Sequence, residues 1–245
     1  MTGEGIADPG ELPPARFVVD RVHVTEEKSR TRRALSFMRS NPLFSIGLGL
    51  LIAFVGMAII GPFLVGDPLL TNPAGMFSPP SADHWFGTDE YGRDVFARSV
   101  NAARLDLSIG LAIALVAMTI GSTIGVVSGY FGGRTDEIIM RLTDILLAFP
   151  GFVLALIIVA ALAESLLNVV MAVAAAYVPY FIRLTRAQAL VEREKEYVDA
   201  ARLAGNRPLR VAFRHVMPNS LGPALVSATL VTGWAVLTVA GLAFL

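Results

Sequence analysis

The sequence contains no cysteine, and only 16% of its 245 residues are charged. The lack of cysteine excludes a disulfide scaffold, a thiolate nucleophile and metal sites with cysteine ligands. Soluble domains usually carry about 25% charged residues. The low charge and a mean hydropathy of +0.62 therefore argue against a soluble globular domain and against a disordered chain. The 20 basic and 20 acidic side chains cancel, so the chain offers no bulk attraction for nucleic acid.

Motifs for nucleotide hydrolysis and for metal catalysis are also missing. The two lysines, Lys28 and Lys195, each follow a glutamate, so neither belongs to a Walker A loop, where the lysine follows a glycine. The three histidines, His23, His84 and His215, lie far apart, and no H-E-x-x-H motif occurs. We therefore expect a non-enzymatic chain with no catalytic residue, no metal site and no cofactor of its own.

Charged residues are concentrated between long uncharged stretches. A helix needs about 20 apolar residues to cross a hydrocarbon core of about 30 Å. Such stretches lie at 44–65, 107–130, 145–163, 167–186 and 221–245, with a short polar turn at Glu164-Ser165 between the third and the fourth. A soluble helical core accounts for one such stretch but hardly for five, so the pattern predicts an all-α, polytopic transmembrane bundle. The first stretch lies too far from the N-terminus, and is too long, for a cleaved signal peptide.

The basic residues lie mostly on one side of these spans. Seven precede the first span, two separate the second from the third, and eight run from Arg183 to Arg214, which places 17 of 20 on the same side. Only Arg93, Arg98 and Arg104 lie on the other side, together with five acidic residues. Because segments rich in lysine and arginine remain in the cytoplasm, we predict a cytoplasmic N-terminus.

The predicted organisation has three parts. Residues 1–40 form a mobile cytoplasmic tail, residues 41–103 form the first transmembrane helix with an extracytoplasmic loop, and residues 104–245 form the core. The core includes a long cytoplasmic loop at about 187–220. Within the outer loop, the pattern from Tyr91 to Arg104 predicts a short amphipathic helix lying on the membrane surface.

Two groups of residues in and beside these spans allow alternative interpretations. Gly121, Gly125 and Gly129 are spaced by four, which lets two helices approach closely, either within this chain or with a partner subunit. Asp89, Glu90 and Asp94 form an acidic cluster that could recognise a peptide amine or a cation. We favour a structural role for the cluster, as a helix cap and as partners of Arg93 and Arg98.

The sequence of the cytoplasmic loop predicts a helix–turn–helix that projects between two spans. Good helix formers run to Ala204, Gly205 closes the helix in a left-handed conformation, Pro208 opens a second short helix and Pro218 ends it. Ala200 and Ala201 permit close approach of another protein, and Tyr197 and Leu203 supply apolar anchors. An alternative is an ordinary basic loop that binds anionic lipid headgroups. Readout of DNA is disfavoured because both flanking spans would hold the recognition helix at the bilayer.

Three strings in this sequence resemble one known family. Tyr197-Val-Asp-Ala-Ala-Arg-Leu-Ala-Gly205, followed by Arg214-His-Val-Met-Pro-Asn219, resembles the EAA loop of bacterial ABC importer permeases. His84-Trp-Phe-Gly-Thr-Asp-Glu-Tyr-Gly-Arg-Asp-Val95 resembles a segment of the C-type permease subunit of dipeptide, oligopeptide and nickel importers, matched at Gly87, Thr88, Asp89, Gly92, Arg93 and Asp94. Gly129-Tyr-Phe-Gly-Gly133 with Met140-Arg-Leu-Thr-Asp-Ile-Leu-Leu-Ala-Phe-Pro150 is similar to a further segment of that subunit. The resemblance covers about residues 36–245.

The resemblance implies a type I ABC importer permease fold and a half-permease for dipeptides or oligopeptides. It implies a homologous second permease, two ATPase subunits that bind the ATP and Mg²⁺, and an extracytoplasmic substrate-binding protein as partners. By the same resemblance, the loop would couple to an ATPase through Tyr197, Asp199, Ala200, Ala201, Arg202, Leu203, Gly205 and Pro218. A permease for nickel or another small solute of the same family is the main alternative. A secondary transporter or an intramembrane enzyme is disfavoured, because the spans carry almost no charge.

The sequence departs from the family pattern in three places. Asp199 stands where the family has glutamate, which shortens the reach of the carboxylate by one methylene. Val239 stands where this subunit type has glutamate. The family also continues beyond the position of Leu245 with a loop and a sixth span, so we expect this sequence to be truncated before its last helix.

Overall fold

The computed structural model describes residues 36–162 and 165–244, and this part of the chain is almost entirely helical. The helices in chain order are α1 (Pro42–Leu64), α2 (Val95–Phe131), α3 (Gly133–Leu147), α4 (Gly151–Ala161), α5 (Leu166–Glu192), α6 (Glu196–Leu203), α7 (Pro208–Val211), α8 (Met217–Ser220) and α9 (Gly222–Phe244). A π-helical turn, Ala212–Val216, joins α7 to α8. Residues 1–35 of the predicted tail at 1–40, and Glu164 of the predicted polar turn, lie outside the described residues.

The chain divides into two compact units, residues 1–49 and residues 50–245. In the described part of the first unit, Ser45 Oγ donates to the carbonyl oxygen of Met38 at 2.7 Å, and the rings of Phe37 and Phe44 meet edge to face. The second unit contains the packed core. The predicted functional division at residues 40 and 103 stays a prediction.

Four helices are long and apolar enough to cross a membrane, namely α1, α2, α5 and α9. They confirm the predicted spans at 44–65, 107–130, 167–186 and 221–245. The predicted third span at 145–163 falls on α3 and α4, which meet at an angle of 87° and count as a fifth span only if the bent pair crosses the membrane as one unit. The 11 residues of α4 cover about 16 Å and cannot cross a bilayer alone.

Pro150 explains the break between α3 and α4. Its ring disfavours the helical conformation at the preceding residue, Phe149, and it has no N–H to donate. Helix α3 ends with the amide of Ala148 donating to the carbonyl oxygen of Asp144 at 3.0 Å. Helix α4 begins with the amide of Leu154 donating to the carbonyl oxygen of Pro150. The chain therefore turns sharply within an apolar stretch that looks continuous in the sequence.

The prediction of a separate surface helix at Tyr91–Arg104 is wrong, because most of this segment forms the first turns of helix α2. Asp94 caps α2 by accepting a hydrogen bond from the amide of Ala97, and the helix then runs for 37 residues without interruption. At about 1.5 Å per residue it is about 55 Å long, so it extends well beyond a hydrocarbon core of about 30 Å. No glycine or proline separates Arg104 from the apolar segment, so the charged turns continue the membrane helix.

The central contact of the core is the close packing of α2 on α5. A Cβ atom added at Gly121, Gly125 or Gly129 would lie 2.6–2.7 Å from a backbone oxygen of α5, that of Val178, Ile182 or Arg186. The three glycines thus let the two backbones touch, as small residues do in lipid. The contact is within this chain, so the alternative of a partner subunit at these positions is wrong.

Buried side chains extend this contact to α4 and α9. Ile113 and Ala117 of α2, Phe181 of α5 and Ala235 of α9 are fully buried in one apolar cluster. Ser122 of α2 accepts a hydrogen bond from Thr185 of α5 at 3.0 Å, which satisfies both buried hydroxyls. The core is therefore a helical bundle arranged around α2 and α5.

Substitution of Gly125 tests the close approach of α2 and α5. We expect Gly125→Ala to destabilise the protein by about 1–3 kcal/mol, because the new methyl group forces the two helices apart. Gly233→Ala is the matched control. Gly233 also lies inside a helix, α9, but has open space around it, so the same substitution should be neutral or stabilising by about 1 kcal/mol. Thermal unfolding in detergent would measure both, and equal midpoints for the two variants would contradict the packing.

Candidate functional site

The longest connection at one end of the bundle is the 193–221 loop, which contains α6, the π-helical turn and two short helices. It begins later than the predicted residue 187, because α5 continues to Glu192. Helix α6 ends as predicted, with Gly205 in a left-handed conformation at φ +77°. Pro218 does not end the second helix, which is a correction. It lies in the first turn of α8, where its missing N–H costs nothing.

The inner face of α6 anchors the 193–221 loop to the bundle. Val198 and Ala201 are buried against Val126 and Tyr130 of α2, in a cluster that also contains Val211, Ala212 and Val216. The predicted outward role of Ala201 is therefore corrected, because its small side chain allows close packing inward. Arg202 lies over the ring of Tyr130, 5.3 Å from its centroid, and pairs with Asp199 at 2.9 Å.

The outer face of α6 is free of such contacts in the described part of the chain. Leu203 is 88% exposed, and Asp199, Ala200 and Ala204 are exposed beside it. A large apolar side chain surrounded by small or polar neighbours is the composition typical of a protein contact surface. Of the predicted coupling residues, the structure thus exposes Asp199, Ala200, Leu203 and Gly205 together.

A hydrogen-bonded link, formed by Glu192, Lys195, Tyr197 and Asn219, joins the two ends of the 193–221 loop. The carboxylate of Glu192, only 7% exposed, accepts hydrogen bonds from Lys195 Nζ and from the hydroxyl of Tyr197, both at 2.6 Å. Asn219 Nδ2 in turn donates to the Tyr197 hydroxyl at 3.2 Å and to the carbonyl oxygen of His215 at 2.7 Å. The start of α6 is therefore fixed both to the end of α5 and to the helix that leads into α9.

A second polar cluster lies where α2 ends. Arg186 of α5 binds both carboxylate oxygens of Asp136 in α3, and Ser128 of α2 donates to the same carboxylate. Arg193 donates to the carbonyl oxygen of Gly129 at 2.9 Å. A bidentate arginine–carboxylate pair fixes orientation as well as distance. It holds the ends of three helices next to the 193–221 loop.

At the opposite end of α2, residues 72–94 form a compact clasp that includes the second predicted motif. Thr88 pairs with Asp94 across an antiparallel bridge, and its hydroxyl accepts from the amide of Ser78 at 2.8 Å. Gly92 adopts φ +68°, and an added Cβ would overlap the carbonyl oxygen of Asn72. The glycine is required because the chain passes too close for any side chain.

Two carboxylates of the clasp, those of Asp89 and Asp94, are paired with nearby cations, whereas Asp83 and Glu90 are exposed. Asp89 accepts from Arg93 at 2.8 Å and also binds Arg98, while Asp94 caps α2 and binds His84 at 2.9 Å. Partial burial alone would raise the pKa of Asp89, but the amides of Arg93 and Tyr91 and the side chain of Arg93 lower it to about 2. Of the two interpretations of this acidic cluster, the geometry favours the structural one for Asp89 and Asp94.

Several site residues were missed by the sequence analysis. Glu192 and Asn219 were not proposed as site residues, although both lie near the ends of the predicted loop and a buried carboxylate such as that of Glu192 needs donors. The pair of Asp136 with Arg186 was missed because 50 residues separate them in the sequence. Within the described ranges, 36–162 and 165–244, no group of three or more acidic residues and histidines is arranged to hold a metal ion.

Two protein-family models match this sequence. Residues 121–245 match the family described as binding-protein-dependent transport system inner membrane component, and residues 29–80 match the N-terminal transmembrane domain of oligopeptide transport permease C. The first match covers the C-terminal end of α2 and all the helices from α3 to α9. This chain belongs to that family of permease components.

Individual relatives align with this permease over most of its length. It is 43% identical to the dipeptide transport system permease protein DppC of Alkalihalophilus pseudofirmus, over 87% of this chain and 71% of that protein. It is 40% identical to the probable D,D-dipeptide transport system permease protein DdpC of Escherichia coli, over 85% and 70%. It is 38% identical to the oligopeptide transport system permease protein OppC of Bacillus subtilis, over 86% and 70%.

The lowered pKa of Asp89 predicts how the clasp responds to acid. A carboxylate whose pKa is lowered on folding stabilises the folded state at any pH above 3.8, the ordinary pKa of the group. This stabilisation is lost as the pH falls toward 2. We therefore expect Asp89→Asn to lower the midpoint of thermal unfolding at pH 7. The difference from the unsubstituted permease should shrink between pH 4 and pH 2. A difference independent of pH would contradict the ion pairs.

The link through Tyr197 makes a second measurable prediction. Burial, and then the nearby Glu192 carboxylate, raise the pKa of the Tyr197 phenol to about 12. We titrate the phenol absorbance of the unsubstituted permease and of Tyr197→Phe with alkali. The difference between the two curves should show one phenol with a midpoint near 12. In Glu192→Gln the midpoint should fall, because the negative acceptor is gone. A midpoint unchanged by Glu192→Gln would contradict the link.

Proposed function

We propose that this permease forms half of the transmembrane path of an ATP-driven importer of dipeptides or oligopeptides. The relatives described above carry the names of dipeptide, D,D-dipeptide and oligopeptide permeases, and none of these names refers to nickel. We therefore favour peptides over nickel or another small solute. The substrate would reach this chain from an extracytoplasmic binding protein, as the family description suggests.

The permease would lie in the bacterial inner membrane with its N-terminus in the cytoplasm. The asymmetry of 17 basic residues against three supports this orientation, which puts the 193–221 loop in the cytoplasm and the clasp outside. Its partners would be a homologous second permease and two ATPase subunits that bind ATP and Mg²⁺. Hydrolysis would then take place on those subunits, and this chain would contribute no catalytic residue.

Coupling to an ATPase would use the outer face of α6, and one observation carries this proposal. Helix α6 presents Leu203, 88% exposed, on a helix whose opposite face is buried against α2. An exposed apolar anchor on a rigidly held helix loses little conformational freedom when a partner binds it. Gly205 and Ala200 keep the surroundings of Leu203 small enough for close approach.

The link from Glu192 through Tyr197 to Asn219 would transmit movement of α6 to the spans. Because this link connects α6 to both α5 and α8, a displacement of α6 by the ATPase would move the ends of α5 and α9 together. Such a rigid unit is what an alternation between two states of the bundle requires. Arg186 and Asp136 would extend the same unit to α3.

Charge insertion on the outer face of α6 tests the coupling proposal. We expect Ala200→Glu to weaken binding of the ATPase subunits by about 2 kcal/mol, roughly 30-fold, because an unpaired carboxylate would be buried at the contact. Uptake of a labelled peptide into proteoliposomes should fall in parallel. Co-purification of the ATPase subunits with this chain measures the first effect.

Thr135→Glu is the matched control for Ala200→Glu. Thr135 is exposed in the first turn of α3, so the same charge is added near the same end of the bundle, where a helix N-terminus tolerates it. We expect this variant to retain its ATPase subunits and its uptake. Equal behaviour of the two variants would argue against α6 as the docking helix.

A further inference from the structure

Three arginines in the second half of the 193–221 loop have no carboxylate partner. Arg207, Arg210 and Arg214 are exposed, and none of them forms an ion pair with any residue in 36–162 or 165–244. Most other arginines at this end of the bundle are paired, although Arg134 also lacks an ion pair among the described residues. The salt-bridged arginines of the same half of the bundle are Arg141, Arg183, Arg186, Arg193 and Arg202. The three free cations therefore form a separate basic strip, defined by Arg207, Arg210 and Arg214.

The packing of the loop places this strip level with the edge of a membrane. Val211, Ala212 and Val216, which alternate with the arginines, are buried against Val126 and Tyr130 of α2. Those two residues lie at the end of the uncharged stretch 107–133, which is where α2 would leave the hydrocarbon core. With α2 leaving the hydrocarbon core at that point, the arginines would lie at the depth at which phospholipid headgroups begin.

Apolar side chains lie between the arginines on the exposed side. Leu209 is 60% exposed and Phe213 is 38% exposed. Exposed leucine and phenylalanine interspersed with arginine are the composition of helices that lie in the membrane interface, with apolar groups in the acyl region and cations at the headgroups. On a surface that faces only water, exposing these two apolar side chains would not be favourable.

We propose that the basic strip binds anionic phospholipids of the leaflet that faces the 193–221 loop. The phosphates would be bound by the guanidinium groups of Arg207, Arg210 and Arg214, and Leu209 and Phe213 would enter the acyl boundary. Which leaflet this is rests on the proposed orientation, which makes it the cytoplasmic one. The loop would then have two functions, protein docking through α6 and lipid binding through the strip.

The lipid contact would fix the angle of the loop against the bilayer. The strip follows α6 directly and leads through α8 into α9, so anchoring it leaves α6 projecting away from the membrane. Docking of an ATPase on this strip is the competing explanation. The basic strip is level with the headgroups and shares its face with two large apolar side chains, which favours the lipid.

The test compares lipid retention by the intact complex, captured through this chain. The complex is reconstituted in nanodiscs of phosphatidylcholine and phosphatidylglycerol in equal parts, released, and analysed by native mass spectrometry for the ratio of the two retained lipids. We compare Arg210→Gln/Arg214→Gln with the control Arg141→Gln/Arg183→Gln. The control removes the same charge from two exposed arginines that already have carboxylate partners.

We expect the unsubstituted complex and the control to retain phosphatidylglycerol preferentially, and the strip variant to lose about 30-fold of that preference. This change corresponds to about 1 kcal/mol for each arginine at an anionic surface. An unchanged lipid ratio in the strip variant would overturn the proposal. So would loss of the ATPase subunits at an unchanged ratio, because the strip would then be a protein contact.

The lipid ratio is measured without ATP or peptide, so it is independent of the transport proposal. If the unsubstituted chain captured no ATPase subunits, the proposed function would fail while the retained lipids could still be counted. Conversely, coupled peptide uptake with no preference for phosphatidylglycerol would leave the proposed function intact and overturn the lipid site.

Discussion

The direct contact between the backbones of α2 and α5 is the constraint on which the rest of the described structure depends. In lipid there is no hydrophobic drive to join two apolar helices, so their association relies on close packing and on hydrogen bonds. Gly121, Gly125 and Gly129 supply the close packing, and Ser122 with Thr185 supplies a buried hydrogen bond. The ion pair of Asp136 with Arg186 continues the same contact beyond the apolar segment.

The two ends of this core have different architectures for physical reasons. The clasp at one end is held by backbone hydrogen bonds, by two glycines at positive φ and by the paired charges of Asp89 and Asp94. The 193–221 loop at the other end satisfies its inner face and leaves Leu203, and the strip of three arginines, without partners in the described chain. Unsatisfied groups on a rigid support are the ones available for binding, which is why the proposals concern that end.

Much of the fold could be predicted from local patterns. The four apolar spans, the cap at Asp94 and the left-handed Gly205 each depend on a few neighbouring residues, and all four spans, the cap and the turn are confirmed. The structure differed from the prediction where a local pattern had two outcomes. The apolar stretch that contains Pro150 is bent by 87°, and the charged segment before Leu107 is part of α2 and not a separate surface helix. The roles of the coupling residues remain predictions.

The sequence by itself determined that this chain is a helical membrane protein, because charge distribution and hydropathy act along the chain and need no folded partner, and its motifs carried the resemblance to permeases. Only the tertiary structure decided which side of α6 is available. Ala200 and Ala201 are adjacent and chemically identical, and the packing of α2 buries one and exposes the other. The structure alone also joined Tyr197 to Asn219 and left Arg207, Arg210 and Arg214 without an ion pair among residues 36–162 and 165–244, because these relations arise between segments that meet only after folding.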